Sequence, residues 1–129
     1  MTPKRTNIEL KDGVKVEILL TPALYGVGQR RGINLTEHFN HADEPSAVIR
    51  AYALVTFCAA INMWEVSRMD HPDLGEFPHD FADFEAWAWE HQDELMRVAD
   101  LFMQAFVGKT MAEALKERET EGSKKKTRK

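Results

Sequence analysis

Cysteine is nearly missing from this chain: Cys58 is the single one in 129 residues. An intrachain disulfide framework is therefore excluded, and a reducing compartment is the default expectation. Cys58 lies inside an apolar run, where a thiol acts as a small hydrophobe; nucleophilic thiols need an electropositive, partly exposed setting. Basic residues are scarce in the second half. From Asp70 to Phe106 ten acids stand against one cation, Arg97. A body so acidic argues against a nucleic-acid-binding domain, which would carry a basic face. The apolar run falls short of the ~20 residues a membrane span needs, so no membrane segment is expected. The N-terminus, Met-Thr-Pro-Lys-Arg-Thr-Asn, has no apolar h-region, so no signal peptide is expected. There is no G-x-S-x-G element and no H-E-x-x-H pattern. Neither an enzyme nor a bound cofactor is expected.

What the chain does have is an organising segment. Between Ala51 and Ile61 only Thr56 is polar. The stretch from Pro45 to about Met69 is rich in Ala and Leu and has no internal Gly or Pro after its first residue, which predicts one long helix. Asp43 or Glu44 can cap or charge its start, and Pro45 suits the first turn. A surface helix shows one apolar stripe; this one is apolar nearly all round and belongs at the centre of a fold. One of its sides is left open, at this level, to cover by a second copy or a partner.

The expected architecture is α+β, mostly α: an N-terminal β-hairpin packed on about four to five helices around the central apolar helix. One globular domain is expected over residues 1–121, with the hairpin at 6–20 and helices over 21–121. Asn7–Lys11 and Val14–Leu20 alternate around Asp12-Gly13, a short-range hairpin signal. Ile8, Leu10, Val14, Val16 and Ile18 are expected to share the buried face. Thr21-Pro22 reads as a helix start with a capping hydroxyl, and Gly32 as the stop. The intervening Gly26-Val-Gly-Gln-Arg-Arg-Gly32 lacks the spacing of a phosphate loop. Leu35–Phe39 forms a further turn or short helix. After a loop at 70–80 marked by Pro72, Gly75 and Pro78, Asp80 can cap a helix from Phe81 to about His91. Either a break falls near Gln92-Asp93 or the helix continues; Leu95, Val98, Ala99, Phe102 and Phe106 form the stripe of the following helical stretch, stopped by Gly108. Thr110-Met-Ala-Glu113 reads as a capping box opening a short last helix. Gly122–Lys129 holds five of the 17 basic residues and no acid, and is expected to be a disordered basic tail.

Few residues point to chemistry. His38 and His41, and His71 and His79, lie in polar loops without metal-ligand spacing, so no metal is expected. His71-Pro72-Asp73 is the tripeptide of J-domain co-chaperones, but the basic helix that precedes it in that family is missing here. The aromatic residues say more. Trp64, Trp87, Trp89, Phe77, Phe81 and Phe84 gather around the acidic loop and the helix after it. The apolar stripe there is Phe81, Phe84, Ala88 and Leu95, with Trp87 on its flank; Trp89 falls off it, and an exposed Trp ringed by acids is a common interface anchor. The candidate partner-binding set is Trp87, Trp89, Phe84, Phe77, Asp73 and Glu85.

The layout of these elements over Ile8–Phe106 resembles the small tail assembly chaperones of long-tailed bacteriophages and prophages. It comprises a hairpin with an Asp-Gly turn, a small helix ending in Gly32-Ile33-Asn34-Leu35, the long Ala/Leu-rich helix and a Pro-rich acidic break. Phe81-Ala-Asp-Phe-Glu-Ala-Trp87 and Asp93-Glu-Leu-Met-Arg-Val-Ala-Asp-Leu-Phe102 follow. The resemblance implies a non-catalytic protein of the bacterial host's cytoplasm that does not remain in the finished virion. It implies binding to the aggregation-prone tape measure protein, help in assembling the tail tube protein around it, and self-association as a homo-oligomer. It also implies a programmed frameshift near Lys124-Lys125-Lys126 that appends a domain recruiting the tail tube protein. A small regulatory protein using its basic C-terminal tail on nucleic acid is the alternative.

Overall fold

The computed structural model describes residues 3–107. The predicted last helix and the basic tail lie outside the described residues. The elements run β1 (Lys4–Glu9), β2 (Lys15–Leu20), α1 (Ala23–Arg30), α2 (Leu35–Asn40), α3 (Pro45–Asp70), α4 (Phe81–Glu90) and α5 (Gln92–Val107). This is the expected α+β, mostly helical class: among the described residues, a two-stranded antiparallel hairpin on five helices.

α3 holds the architecture together. Pro45 occupies its first turn, and all 13 residues from Ala51 to Met63 are buried. β2, α1, α2, α4 and α5 all pack against it. Its middle is therefore covered on every side by this chain, and the face left open by sequence reasoning is closed. By length and apolarity α3 is long enough to cross a membrane, but 72% of its most apolar 18-residue window is buried inside the fold. Near its start Tyr52 packs edge-on to Phe39 at 5.1 Å and to Phe102 at 6.3 Å between ring centres. Further along, Phe57 meets Phe77, Phe81 and Phe84 at 5.3–6.0 Å. Such offset ring pairs add to simple burial.

Two polar side chains are buried inside α3, and both are satisfied. Thr56 donates to the Tyr52 carbonyl one turn back, at 2.8 Å. Asn62 donates to the Leu19 carbonyl at 3.0 Å and to Thr21 Oγ1 at 2.9 Å. The Thr21 hydroxyl thus serves Asn62 and is not the helix cap expected of it, since no side chain caps α1.

The hairpin departs from its expected form in three ways. Its strands pair from Lys4↔Leu20 to Glu9↔Lys15, so the first strand begins earlier than position 6. The connection is not a two-residue Asp-Gly turn. It is a longer loop holding a 3₁₀ turn at Lys11–Gly13, closed by Leu10 N–H to the Val14 carbonyl at 2.8 Å. Gly13, at φ +76°, supplies the left-handed residue that this turn needs. The loop lifts Val14 off the core, and it is 43% exposed where burial was expected. Ile8, Leu10, Val16 and Ile18 are buried as expected.

α1 ends as a Schellman motif: Ile33 N–H reaches the Gly28 carbonyl at 2.8 Å and Gly32 N–H reaches Gln29 at 3.1 Å. Gly28 is not part of a phosphate loop but a packing point. A Cβ there would lie 3.0 Å from the Ile33 carbonyl and 3.4 Å from Cys58 Sγ. Gly26, two residues away, has only the tip of Arg30 within 3.7 Å. The two glycines should therefore respond oppositely to alanine. Gly26→Ala should stabilise by about 0.5–1 kcal/mol through helix propensity. Gly28→Ala should destabilise by about 1 kcal/mol or more, because overpacking exceeds that gain. Thermal or urea melts of both variants check this, and equal shifts would contradict the packing assigned to Gly28.

Candidate partner-binding surface

α4 is fixed at its start by Asp80 and Asp83, the latter carboxylate accepting from Asp80 N–H at 3.4 Å. It breaks at His91, whose N–H bonds the Trp87 carbonyl at 2.8 Å while its own carbonyl accepts from Leu95 at 2.9 Å, opening α5. This geometry decides which aromatic residues are available. Phe84, Trp87 and Ala88 form the buried face. Trp89 sits about 140° around the helix from Phe84 and points outward. It is 47% exposed, as is Met96 on α5.

The six candidate residues therefore divide. Trp89 is at the surface. Asp73 is exposed on a 3₁₀ turn, Pro72–Leu74, that begins directly after α3. Glu85 is half-buried, its carboxylate 3.7 Å from Arg50. Phe84 and Trp87 are core residues, so neither presents a surface for a partner to grip. Phe84 on the apolar stripe with Trp87 at i+3 on its flank is the spacing that marks them as core. Phe77 is half-buried and anchors the 71–80 loop. Its ring lies 5.9 Å from Trp64, 5.4 Å from His79 and 6.2 Å from Phe84. The Trp64 indole N–H adds a hydrogen bond to the Gly75 carbonyl at 3.0 Å.

Electrostatics set the character of this half of the molecule. None of the ten acids between Asp70 and Asp100 is buried. Arg97, the single cation among them, is turned away toward the hairpin. It donates to Thr6 Oγ1 at 2.7 Å, to the Asn7 carbonyl at 2.9 Å and to Glu94 at 2.8 Å. Trp89 thus stands on a negative surface beside Glu90 and Asp93.

Two grooves flank the hairpin. One, about 480 Å³, runs between β1 and the α4–α5 junction, with Asn7, Glu9, Trp87, His91 and Glu94 among its lining residues. The other, about 340 Å³ and more apolar, runs along β2. Val16, Met63, Trp64, Leu74 and Phe77 are among its lining residues. Sequence reasoning missed this second groove, because its walls come from three separated segments. The one hint was that a two-stranded sheet leaves an edge to be explained.

Among the described residues, no three His, Cys, Asp or Glu side chains could share a metal ion. Cys58 is fully buried, and burial pushes its thiol up to about 11 against a smaller opposing pull from Arg31. At neutral pH it is a protonated structural thiol.

Searches against known protein families, curated proteins and solved structures find no match to this chain.

The anchoring role of Phe77 is testable. Phe77→Ala should cost about 1–3 kcal/mol, less than for a fully buried ring, and should speed limited proteolysis within residues 71–80. Unchanged cleavage would mean that Trp64 alone holds the loop.

Proposed function

We propose that this protein is a non-catalytic, holdase-like assembly chaperone, the tail assembly chaperone that its element layout resembles. In this reading its client is the tape measure protein of a long-tailed phage, and it acts in the bacterial host's cytoplasm during assembly of the tail tube protein. The observation that carries the reading is Trp89, a large aromatic side chain held outward on a helix, 47% exposed, with the exposed acids Glu90 and Asp93 close by in the chain. A Trp so placed is an anchor: it offers much contact area with little side-chain entropy to lose. The surrounding acids keep a complex soluble and steer basic client segments toward the anchor. A long helical client with apolar seams would lay one seam over Trp89 and Met96, which stand on either side of the α4–α5 break.

The burial of Phe84 and Trp87 refines the site. They stiffen α4 from within, and the contact surface narrows to Trp89 with the acids around it and Met96.

Trp89→Ala should weaken capture of a co-expressed tape measure protein by about tenfold or more. It should leave the melting temperature nearly unchanged, since exposed substitutions usually shift stability by less than ~0.5 kcal/mol. Unchanged capture together with a lowered melting temperature would make Trp89 a structural residue and overturn the assignment.

A further inference from the structure

Four arginines of the described residues hold a carboxylate: Arg5 with Glu17, Arg30 with Glu65, Arg50 with Glu85 and Arg97 with Glu94. Arg31 and Arg68 are the other two, and neither forms an ion pair among the described residues, although acids outnumber cations there. Both line one pocket of about 290 Å³. A single stripe of α3 runs through it, Ile61, Trp64, Glu65 and Arg68, at the i, i+3, i+4, i+7 spacing of one helix face. Arg31, directly after α1, and Glu76 and Phe77 of the 71–80 loop complete the lining. Seven residues separate Ile61 from Arg68, so this stripe is about 10 Å long, apolar at one end and cationic at the other. Two of its polar groups are already engaged. Glu65 accepts from Arg30 at 2.9 Å, and the Trp64 indole N–H donates to the Gly75 carbonyl at 3.0 Å.

We propose that this pocket binds an organic monocarboxylate with an apolar body, the carboxylate held by Arg31 and Arg68 and the body resting on Ile61, Trp64 and Phe77. Each part of the ligand answers a part of the lining. A guanidinium presents a planar fork that matches a carboxylate, and a charge-assisted hydrogen bond is stronger than a neutral one. Apolar walls lower the local dielectric and strengthen that attraction further. With Glu65 neutralised by Arg30, the free charges of the lining are Arg31 and Arg68 against Glu76, one positive charge in excess. A single negative charge balances it. The second charge of a phosphate monoester or a dicarboxylate would meet repulsion from Glu76. Because the Trp64 N–H is engaged, its ring offers the ligand apolar surface only. The volume stands at the small end of the ~300–1,000 Å³ usual for ligand sites, which suits a body of one aromatic ring. A free aromatic acid and the terminal carboxylate of a peptide ending in an aromatic residue share this chemistry.

Neither Trp89 nor Met96 lines this pocket, so the proposal stands whether or not the client reading does. Titration of the full chain with sodium phenylacetate at constant ionic strength, followed by proton–nitrogen NMR, tests it. The Trp64 indole signal and the Arg31 and Arg68 Nε–H signals should shift and saturate, with Kd of about 1 mM. Neutral phenylacetamide should bind about tenfold more weakly or worse. Arg31→Gln and Arg68→Gln should each raise Kd about tenfold, and Glu76→Gln should lower it about threefold. Arg50→Gln, about 27 Å back along α3, should leave it unchanged. Thermal melting checks that each variant is folded. N-acetyl-glycyl-phenylalanine is the second arm. Tighter binding than phenylacetate assigns the site to a peptide terminus, and weaker binding assigns it to a free acid; both outcomes support a carboxylate site. Four results overturn the proposal: no binding of either acid, equal binding of acid and amide, indifference to both arginine substitutions, or tighter binding of inorganic phosphate than of phenylacetate.

Discussion

Everything in this fold follows from the burial of α3. The middle of this helix, Ala51–Met63, is apolar on nearly all sides and has no face that water will accept, so five other elements cover it. β2 and α1 cover it beside the hairpin, α4 and α5 on the acidic side, and α2 near its start. The close approach at Gly28 belongs to the same constraint. α1 lies against Cys58 because no Cβ stands between them. The protonated thiol at that contact is a by-product of the packing.

The polar groups that accompany this core are used structurally. Asn62 is buried in the helix yet satisfies a strand carbonyl and a hydroxyl, joining α3 to the hairpin where an unpaired carbonyl would cost about 1–3 kcal/mol. Arg97 does the same from α5 at the opposite edge of the sheet. Placing Arg97 against β1 has an electrostatic consequence: Arg50 of α3 pairs with Glu85, and no other cation of residues 70–106 is left to offset Glu90 and Asp93.

Much of this was legible in the sequence. The central helix was readable to within a residue from an apolar run framed by Pro45 and the His71-Pro72 break. The stripes of α4 and α5 and the outward position of Trp89 followed from 3.6-residue periodicity. What escaped depends on tertiary geometry. Asp12-Gly13 suggested a tight turn, but the body of the protein favours a longer loop that exposes Val14. Thr21 looked like a cap, but Asn62, 41 residues away, claims its hydroxyl. Phe84 and Trp87 sat close to Trp89 in sequence and were grouped with it, although one face of the same helix buries them. The β2 groove could not be read at all, because its walls meet only in the folded chain.

A helix with no face to spare also decides where partners can bind. In the reading proposed above, a client docks at the periphery, at Trp89. Native-state hydrogen exchange of the Ala51–Met63 amides in the isolated protein tests that constraint most directly. Full cover by the chain itself predicts that all of them exchange only through global unfolding, with the same free energy and denaturant dependence as the equilibrium melt. A subset repeating every three to four residues that exchanges through cheaper, denaturant-independent openings would contradict it. Such a pattern would show that one face of α3 is covered by something other than this chain.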